Sequence, residues 1–521
     1  MTILDQGITK NTLGRRTLSG SIWVFITRIS LQIMSLIQIT ILGRLLSPDD
    51  FGLMGIATIT IMAISTLTYT GYEFALVQKP ELKPEDIHTA WWLMLIQRTA
   101  ICLTLLVLAY PVSRFYKTSS VLPILCVMAF AQLIIGLSNP TASLFQRQLK
   151  YRSFFYFQFI SSFFGFLIGI IFALVFRNVW ALVVATVSTY VAQLICSYLM
   201  IDYRPRMIMN KDSLKFFFGY GQWMLGSAIL WFLFSQGTTA ASGRMFGVAA
   251  LGIYQMASRF ALLPTTQFID VITGSVFSSV AIIQEERDRL RQAFLRILCL
   301  SSIYIFGITV LIALFLPPIF ILILGEQWVE SAQLIPLIAV AGGLSALIRI
   351  ASPIFLGVGI PRYQFSLDLV QTTIMLILIV PAGRMFGLSG LPVATIIGAF
   401  VALPIWWIGL KRALTLNIRQ LLVSVYPALF GSMMIFVIFL IKEFITIQFP
   451  ININSFIWQI IIIIIATLVY ALAIWFIVKL KPDNRQLQEA YDLITTVLVE
   501  YKQYLSDFFG RITRRQNETT G

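Results

Sequence analysis

Histidine occurs once in these 521 residues, at His88, cysteine four times, and acidic residues 23 times against 38 lysines and arginines. A single histidine leaves no material for most zinc motifs and removes His-based triads from consideration. Cys102, Cys126, Cys196 and Cys299 sit inside apolar stretches without CxxC spacing. They read as small packing residues rather than a disulfide framework or metal site. Charge as a whole is scarce, with 12% of residues charged and 58% hydrophobic. That is too little polarity to cover a soluble domain of this size. No Asp-x-Asp occurs in a loop and the loops are short, which argues against an enzyme needing acidic metal ligands or a large outer loop. No cleavable signal is evident, because about twenty polar-to-mixed residues precede an apolar run too long for a signal-peptide core.

What the chain has in abundance is long hydrophobic runs. Windows of roughly 20 apolar residues, enough to cross the hydrocarbon layer, fit at 18–43, 51–77, 88–113, 119–145, 153–176, 178–201, 215–242, 248–281, 292–324, 331–357, 364–386, 388–410, 420–445 and 455–479. The expected fold is an all-α polytopic membrane protein with about 14 transmembrane helices. With the N-terminus in the cytoplasm, twenty lysines and arginines between Lys10 and Arg419 fall in inner segments. Seven fall outside: Arg44, Arg114, Lys117, Arg177, Arg244, Arg384 and Lys442. The positive-inside rule therefore places both termini in the cytoplasm. The net charge of +15 reflects topology and lipid head groups; no basic stripe with stacked aromatics points to nucleic acid. In the tail from 480 to 521, Leu487, Tyr491, Ile494, Leu498, Tyr501, Leu505 and Phe508 recur at helical spacing. Such a segment lies on the inner leaflet or caps the cytoplasmic end of the bundle.

The first hairpin recurs two hundred residues later. Trp23, Gly43-Arg44, Gly52 and Ala57 are answered by Trp223, Gly243-Arg244, Gly252 and Ala257. A weaker echo pairs Phe145 and Arg152 with Phe355 and Arg362, and Ala185-Thr186 with Ala394-Thr395. The repeat unit is six spans, so the organisation expected is a short N-terminus (1–17), an N-lobe (18–201), a cytoplasmic linker (202–214), a C-lobe (215–410), two added spans (420–479) and the tail. Six is even, so the copies share an orientation and their pseudo-twofold axis runs along the membrane normal. Duplicated helical halves of this kind build transporters that rock around a central site. A second Gly-Arg-Met-Phe-Gly, at 383–387, does not align with that at 243–247 and reads as similar turn chemistry, not a third repeat. Kinks are expected at Pro264, Gly274, Gly342-Gly343, Pro353, Pro392 and Pro404.

Four arginines fall within spans: Arg28, Arg98, Arg259 and Arg349. At mid-depth each costs a few kcal/mol and normally faces a partner or an aqueous cavity. Arg28 lies about 12 Å beyond Gly20 at helical rise, and Arg259 is similarly deep from the opposite side, so neither snorkels easily. Arg98 and Arg349 lie nearer their cytoplasmic ends, where snorkelling or pairing competes. Asp270 and Asp368 are candidate counter-ions, coupling sites or gates, and Glu73 a gate residue. Glu73 or Asp270 could instead form a structural ion pair with Arg28 or Arg259. The arginine excess implies a cationic cavity suited to a phosphate or diphosphate. Neither a metal nor an organic cofactor is indicated.

Leu46-Ser-Pro-Asp-Asp-Phe-Gly52, followed by Gly71-Tyr-Glu-Phe-Ala-Leu-Val-Gln78, resembles the opening of bacterial Wzx-type oligosaccharide flippases. Val276-Phe-Ser-Ser-Val-Ala-Ile-Ile-Gln284, leading into the charged turn Glu285–Arg291, is similar to a second motif there, without the proline usual near Ser278. These flippases form the polysaccharide-transport branch of the multidrug/oligosaccharidyl-lipid/polysaccharide (MOP) exporter superfamily. The resemblance implies a MATE-like and MurJ-like fold that flips an undecaprenyl-diphosphate-linked repeat unit across the bacterial inner membrane, for surface polysaccharide, lipopolysaccharide or exopolysaccharide. Within the branch the chain looks most like colanic-acid-type and exopolysaccharide exporters. Arg28 and Arg259 match the family's cationic cavity positions, and the polymerase with its chain-length machinery are implied partners. Two alternatives stay open: a multidrug or cation antiporter of the same fold, which would use Asp270 and Asp368, and a polyprenyl-dependent glycosyltransferase or polymerase.

Overall fold

The structure, a computed structural model, describes residues 10–68, 84–140, 145, 150–201, 204–205, 210–283, 286–448 and 456–480. Glu73 and the amphipathic tail beyond Leu480 lie outside them. Among the described residues the long elements are all helices: α1 (Lys10–Leu45), α2 (Pro48–Leu67), α3 (Pro84–Phe115), α4 (Val121–Gly136), α5 (Tyr151–Phe176), α6 (Trp180–Leu199), α7 (Lys211–Phe246), α8 (Val248–Ile283), α9 (Arg287–Leu324), α10 (Val329–Arg349), the six-residue α11 (Ser352–Gly357), α12 (Pro361–Phe386), α13 (Gly390–Leu414), α14 (Ile418–Gln448) and α15 (Phe456–Leu480). Ten stretches are long and apolar enough to cross a membrane, one of them covering α12 and α13 together. Of the remainder, α4 is apolar but short at 16 residues, while α7 and α8 reach 36 residues each and carry more polar side chains. Large apolar residues such as Val107, Leu199, Ile457 and Leu468 stay exposed on these helices. Surfaces of that kind belong against lipid tails. The chain is a multi-pass membrane protein.

The helix ends follow from local chemistry. Ser47 caps α2 reciprocally with Asp50: the Asp50 amide donates to the Ser47 hydroxyl, and the Ser47 amide donates to Asp50 Oδ2 at 2.9 Å. Pro48 and two acids in the first turn complete a strong start signal. Both Gly-Arg-Met-Phe-Gly segments are helix stops. They end α7 at Phe246 and α12 at Phe386, followed by Gly247 and Gly387 at φ +97° and +62°. This left-handed conformation suits only glycine well. Span ten is broken rather than merely bent: α10 stops at Arg349 and α11 restarts with Pro353 in its first turn. By contrast α8 and α13 continue through Pro264 and Pro404.

The duplication is visible in the backbone. Helices α5 and α12 both have 26 residues. Before α5 the Lys150 amide donates to the Phe145 carbonyl at 2.9 Å, and before α12 the Ile360 amide donates to the Phe355 carbonyl at 2.8 Å. Phe145 and Phe355 are both buried, so this weak sequence echo marks a conserved turn between the two copies.

The chain divides into two compact units: Met1–Ala257 with Phe320–Leu334 and Met375–Ala394, and Ser258–Ile319 with Ile335–Ile374 and Thr395–Gly521. In the first, Ile56, Ile101, Leu105, Leu125, Val183 and Leu251 form the core, with α3 against α4, α5 against α6 and α2 against α7. In the second, Phe294, Leu298, Ile354, Phe355 and Leu410 do so. Here α14 pairs with α15, and the Tyr470 hydroxyl of α15 donates to the Ile303 carbonyl of α9.

Candidate functional site

The six described charges singled out by sequence divide between the two units, Arg28 and Arg98 in the first, the rest in the second. Arg28 is exposed on α1. Thr27 beside it is buried and returns its hydroxyl to the Trp23 carbonyl at 2.7 Å, so the helix presents the arginine outward. Arg259, on α8, is likewise exposed. An exposed guanidinium has the chemistry of an anion grip: a planar fork that matches phosphate oxygens bidentately.

Arg98 is placed differently. It is half-buried and donates from Nη1 to Gln132 Oε1, 2.9 Å away on α4. Gln132 is fully buried, and Arg98 Nε and Gln132 Nε2 are buried without hydrogen-bond partners. Gly136, one turn beyond Gln132, has no side chain to block the Arg98 stem. Sequence reasoning did not single out Gln132; its signal was a lone polar residue in the apolar run Val121–Gly136.

In the second unit three helices bring Arg349, Asp368 and Asp270 into one electrostatic cluster. The Arg349 guanidinium, at the end of α10, interacts with the Asp368 carboxylate on α12 and also with Asp270 on α8. Gln364, one turn before Asp368, donates to both carboxylate oxygens at 3.0 Å. The positive charge of Arg349 is thus felt by carboxylates on two other helices. The i, i+4 spacing of Gln364 and Asp368 was legible in the sequence; their meeting with Arg349 was not.

The matched Gly-Arg turns form a third site, in the first unit. Helices α2 and α8 cross so closely that a Cβ on Gly52 would overlap the Val248 carbonyl, and one on Gly252 would overlap the Pro48 carbonyl. Arg44 donates to the Leu322 and Ile323 carbonyls at the end of α9, at 2.7 and 2.6 Å. From the α9–α10 turn, Gln327 Nε2 and Trp328 Nε1 return hydrogen bonds to the Gly43 carbonyl at 2.6 and 2.7 Å. Phe51 packs edge-on to the fully buried Trp328. By sequence alone Arg44 is one of seven outer-loop charges; its contact with α9 is a tertiary fact.

Residues 41–333 match the model of a family described as polysaccharide biosynthesis protein, a stretch that begins at the first Gly-Arg turn. The chain is 21% identical over 433 residues to the lipopolysaccharide biosynthesis protein WzxC of Escherichia coli (strain K12), covering 81% of this chain and 86% of that protein. It is 22% identical to the succinoglycan biosynthesis transport protein ExoT of Rhizobium meliloti (strain 1021), covering 67% and 71%. The same identity relates it to the teichuronic acid biosynthesis protein TuaB of Bacillus subtilis (strain 168), covering 68% and 74%. Among solved structures it is similar to the lipid II flippase MurJ in an inward closed conformation, with TM-score 0.65, 15% identity, and coverage of 89% of this chain and 99% of that one. A multidrug resistance MATE family transporter of the MOP superfamily, inward-facing, gives 0.60 at 17% identity, covering 74% and 94%. The fold is that of MurJ and the MATE transporters.

Proposed function

Because this chain belongs to the polysaccharide biosynthesis protein family, we propose that it flips an undecaprenyl-diphosphate-linked oligosaccharide across the bacterial inner membrane for surface or exopolysaccharide synthesis. The observation that carries this reading is coverage: relatives named for polysaccharide biosynthesis and transport align over two thirds or more of the chain, on a fold shared with a lipid II flippase.

Arg28 on α1 and Arg259 on α8, both exposed, hold the diphosphate while the polyprenyl tail stays in lipid. Arg98, bonded to Gln132, and Arg349, near two aspartates, line the path secondarily. The lobes 18–201 and 215–410 rock about the bound head group, and the sugar passes between leaflets. Asp270 and Asp368 couple or gate the movement, and Glu73 contributes to the gate. Both termini are cytoplasmic, so the turns 43–50 and 243–247 face the periplasm. The polymerase and its chain-length machinery receive the flipped unit.

The test is complementation of a strain lacking the gene. Wild-type chain restores polymer and clears the accumulated lipid-linked unit; Arg28→Ala or Arg259→Ala leaves both defects although the protein reaches the membrane. Full complementation by both variants refutes the anion grip. The Asp270–Arg349–Asp368 cluster supports a second reading, a cation or multidrug antiporter. In that case a cationic dye binds the purified protein and the undecaprenyl-diphosphate glycolipid fails to displace it. An enzyme reading requires glycosidic bonds to be made or broken when the protein meets a labelled lipid-linked saccharide; intact saccharide is expected.

A further inference from the structure

The first compact unit contains more than the first repeat. It also takes in the adjoining ends of second-repeat helices: α8 as far as Ala257, Phe320–Leu334 around the α9–α10 turn, and Met375–Ala394 around the α12–α13 turn. Contacts at this end follow the duplication. Gly43 packs on Leu324 at the end of α9, and Gly243 on Tyr116 just past the end of α3. Arg44 reaches the last carbonyls of α9, while the Arg244 guanidinium lies 5.2 Å over the Phe115 ring at the end of α3. Helices α3 and α9 are each the third of their repeat. Each Gly-Arg turn therefore grips the third helix of the opposite copy, and the Gly52–Gly252 crossing lies between the two grips.

The two grips differ in strength. Arg44 makes charge-assisted hydrogen bonds to carbonyls at a helix C-terminus, where the helix dipole favours a cation. Beside it Gln327 and Trp328 bond the Gly43 carbonyl, Phe51 packs on Trp328, and the Ser331 hydroxyl adds a buried bond to the Ile253 carbonyl at 3.0 Å. Arg244 has the cation–π contact, which is weaker at an exposed site.

We propose that the paired Gly-Arg turns form a reciprocal clasp that holds this end of the bundle shut. In it the Arg44–Trp328 grip is the lock whose release sets how often the end opens. The clasp rests on the flippase reading only for the side it faces, the periplasm. Opening must break the Arg44 bonds and part α2 from α8 at the two glycines. Ser331, wholly buried beneath the lock, then becomes accessible.

The test uses the full chain with its four cysteines replaced and Ser331→Cys added, labelled in intact cells by a membrane-impermeant maleimide. A permeant maleimide is run in parallel. Labelling is expected to be slow in this background and at least about tenfold faster with Arg44→Ala, the loss of charge-assisted hydrogen bonds. Trp328→Phe removes the indole donor while keeping an aromatic ring, and should accelerate labelling less. Arg244→Ala should have a smaller effect still. Arg384→Ala, an exposed arginine at the same end, should leave the rate unchanged. Equal rates for Arg44→Ala, Trp328→Phe and Arg384→Ala, in chains of normal membrane abundance, would overturn the clasp. The readout needs no lipid-linked saccharide, so failure of the flippase reading leaves it intact. Acceleration seen only with the permeant reagent supports the clasp and overturns only its periplasmic placement.

Discussion

Gly52→Ala and Gly252→Ala insert one methyl each at a crossing that has no room for it. The new Cβ at residue 52 would lie 2.7 Å from the Val248 carbonyl carbon and 2.8 Å from its Cγ1. At residue 252 it would lie 2.9 Å from the Gly52 nitrogen and 3.0 Å from the Pro48 carbonyl carbon, with the carbonyl oxygen nearer still in both cases. Ordinary contacts between carbon and a carbonyl oxygen are about 3.3–3.6 Å, so α2 and α8 must separate. Overpacking of this kind costs about 1–3 kcal/mol. Replacing glycine by alanine inside a helix returns about 0.5–1 kcal/mol. Each single variant should lose roughly 1–2 kcal/mol on those principles, read as a fall in melting temperature on the order of a few degrees. One separation relieves both clashes, so the double variant should fall short of the summed losses by about 1 kcal/mol. Gly226→Ala and Gly274→Ala, where nothing lies within 4 Å of the added carbon, are the controls and should lose no stability. Fluorescence-detected size exclusion after heating measures the five variants beside the wild type. Wild-type melting of the single variants, or strict additivity in the double, would refute the close crossing.

Three further outcomes follow from the buried and exposed charges. Arg349→Leu removes the positive charge that acts on Asp368 and Asp270 and should lower thermal stability; adding Asp368→Asn should recover part of the loss, and no recovery would sink the charge cluster. Arg98→Met alone strands Gln132 and should cost about 1–3 kcal/mol, whereas Arg98→Met with Gln132→Leu should melt closer to wild type; a double variant no better than the single would mean the pair is not the relevant contact. Arg28→Ala, at an exposed position, should leave the melting temperature unchanged while abolishing polymer export, a separation of stability from function that a structural arginine would not show.

Much of this architecture was legible beforehand because membrane crossing writes itself as length and apolarity. The helix ends were legible for a different reason. Ser47-Pro48-Asp49-Asp50 and the two Gly-Arg-Met-Phe-Gly segments stop or start helices by local chemistry, and local chemistry survives in sequence. The repeat at Gly43, Gly52, Gly243 and Gly252 was visible as identity, but its purpose was not. A glycine kept for a turn and one kept for a reciprocal helix crossing look alike until the partner backbone is known. Arg349, Asp368 and Asp270 come from three helices, with at least 18 residues between any two of them in the chain, and no spacing rule joins them. Gln132 and Trp328 were missed for the same reason, since each matters through what it meets. Span ten was expected to bend near Pro353 and instead breaks at residues 350–351, because the proline restarts a helix as well as it ends one.

The central claim is translocation of a diphosphate-linked glycolipid, and reconstitution measures it directly. Purified chain in sealed proteoliposomes carrying an undecaprenyl-diphosphate-linked oligosaccharide is challenged with a saccharide-modifying enzyme added outside. Inner-leaflet glycolipid should become accessible in wild-type vesicles and stay protected in empty vesicles and in those holding Arg28→Ala with Arg259→Ala. Protection that persists with wild-type protein, or is lost equally with the double variant, would contradict it.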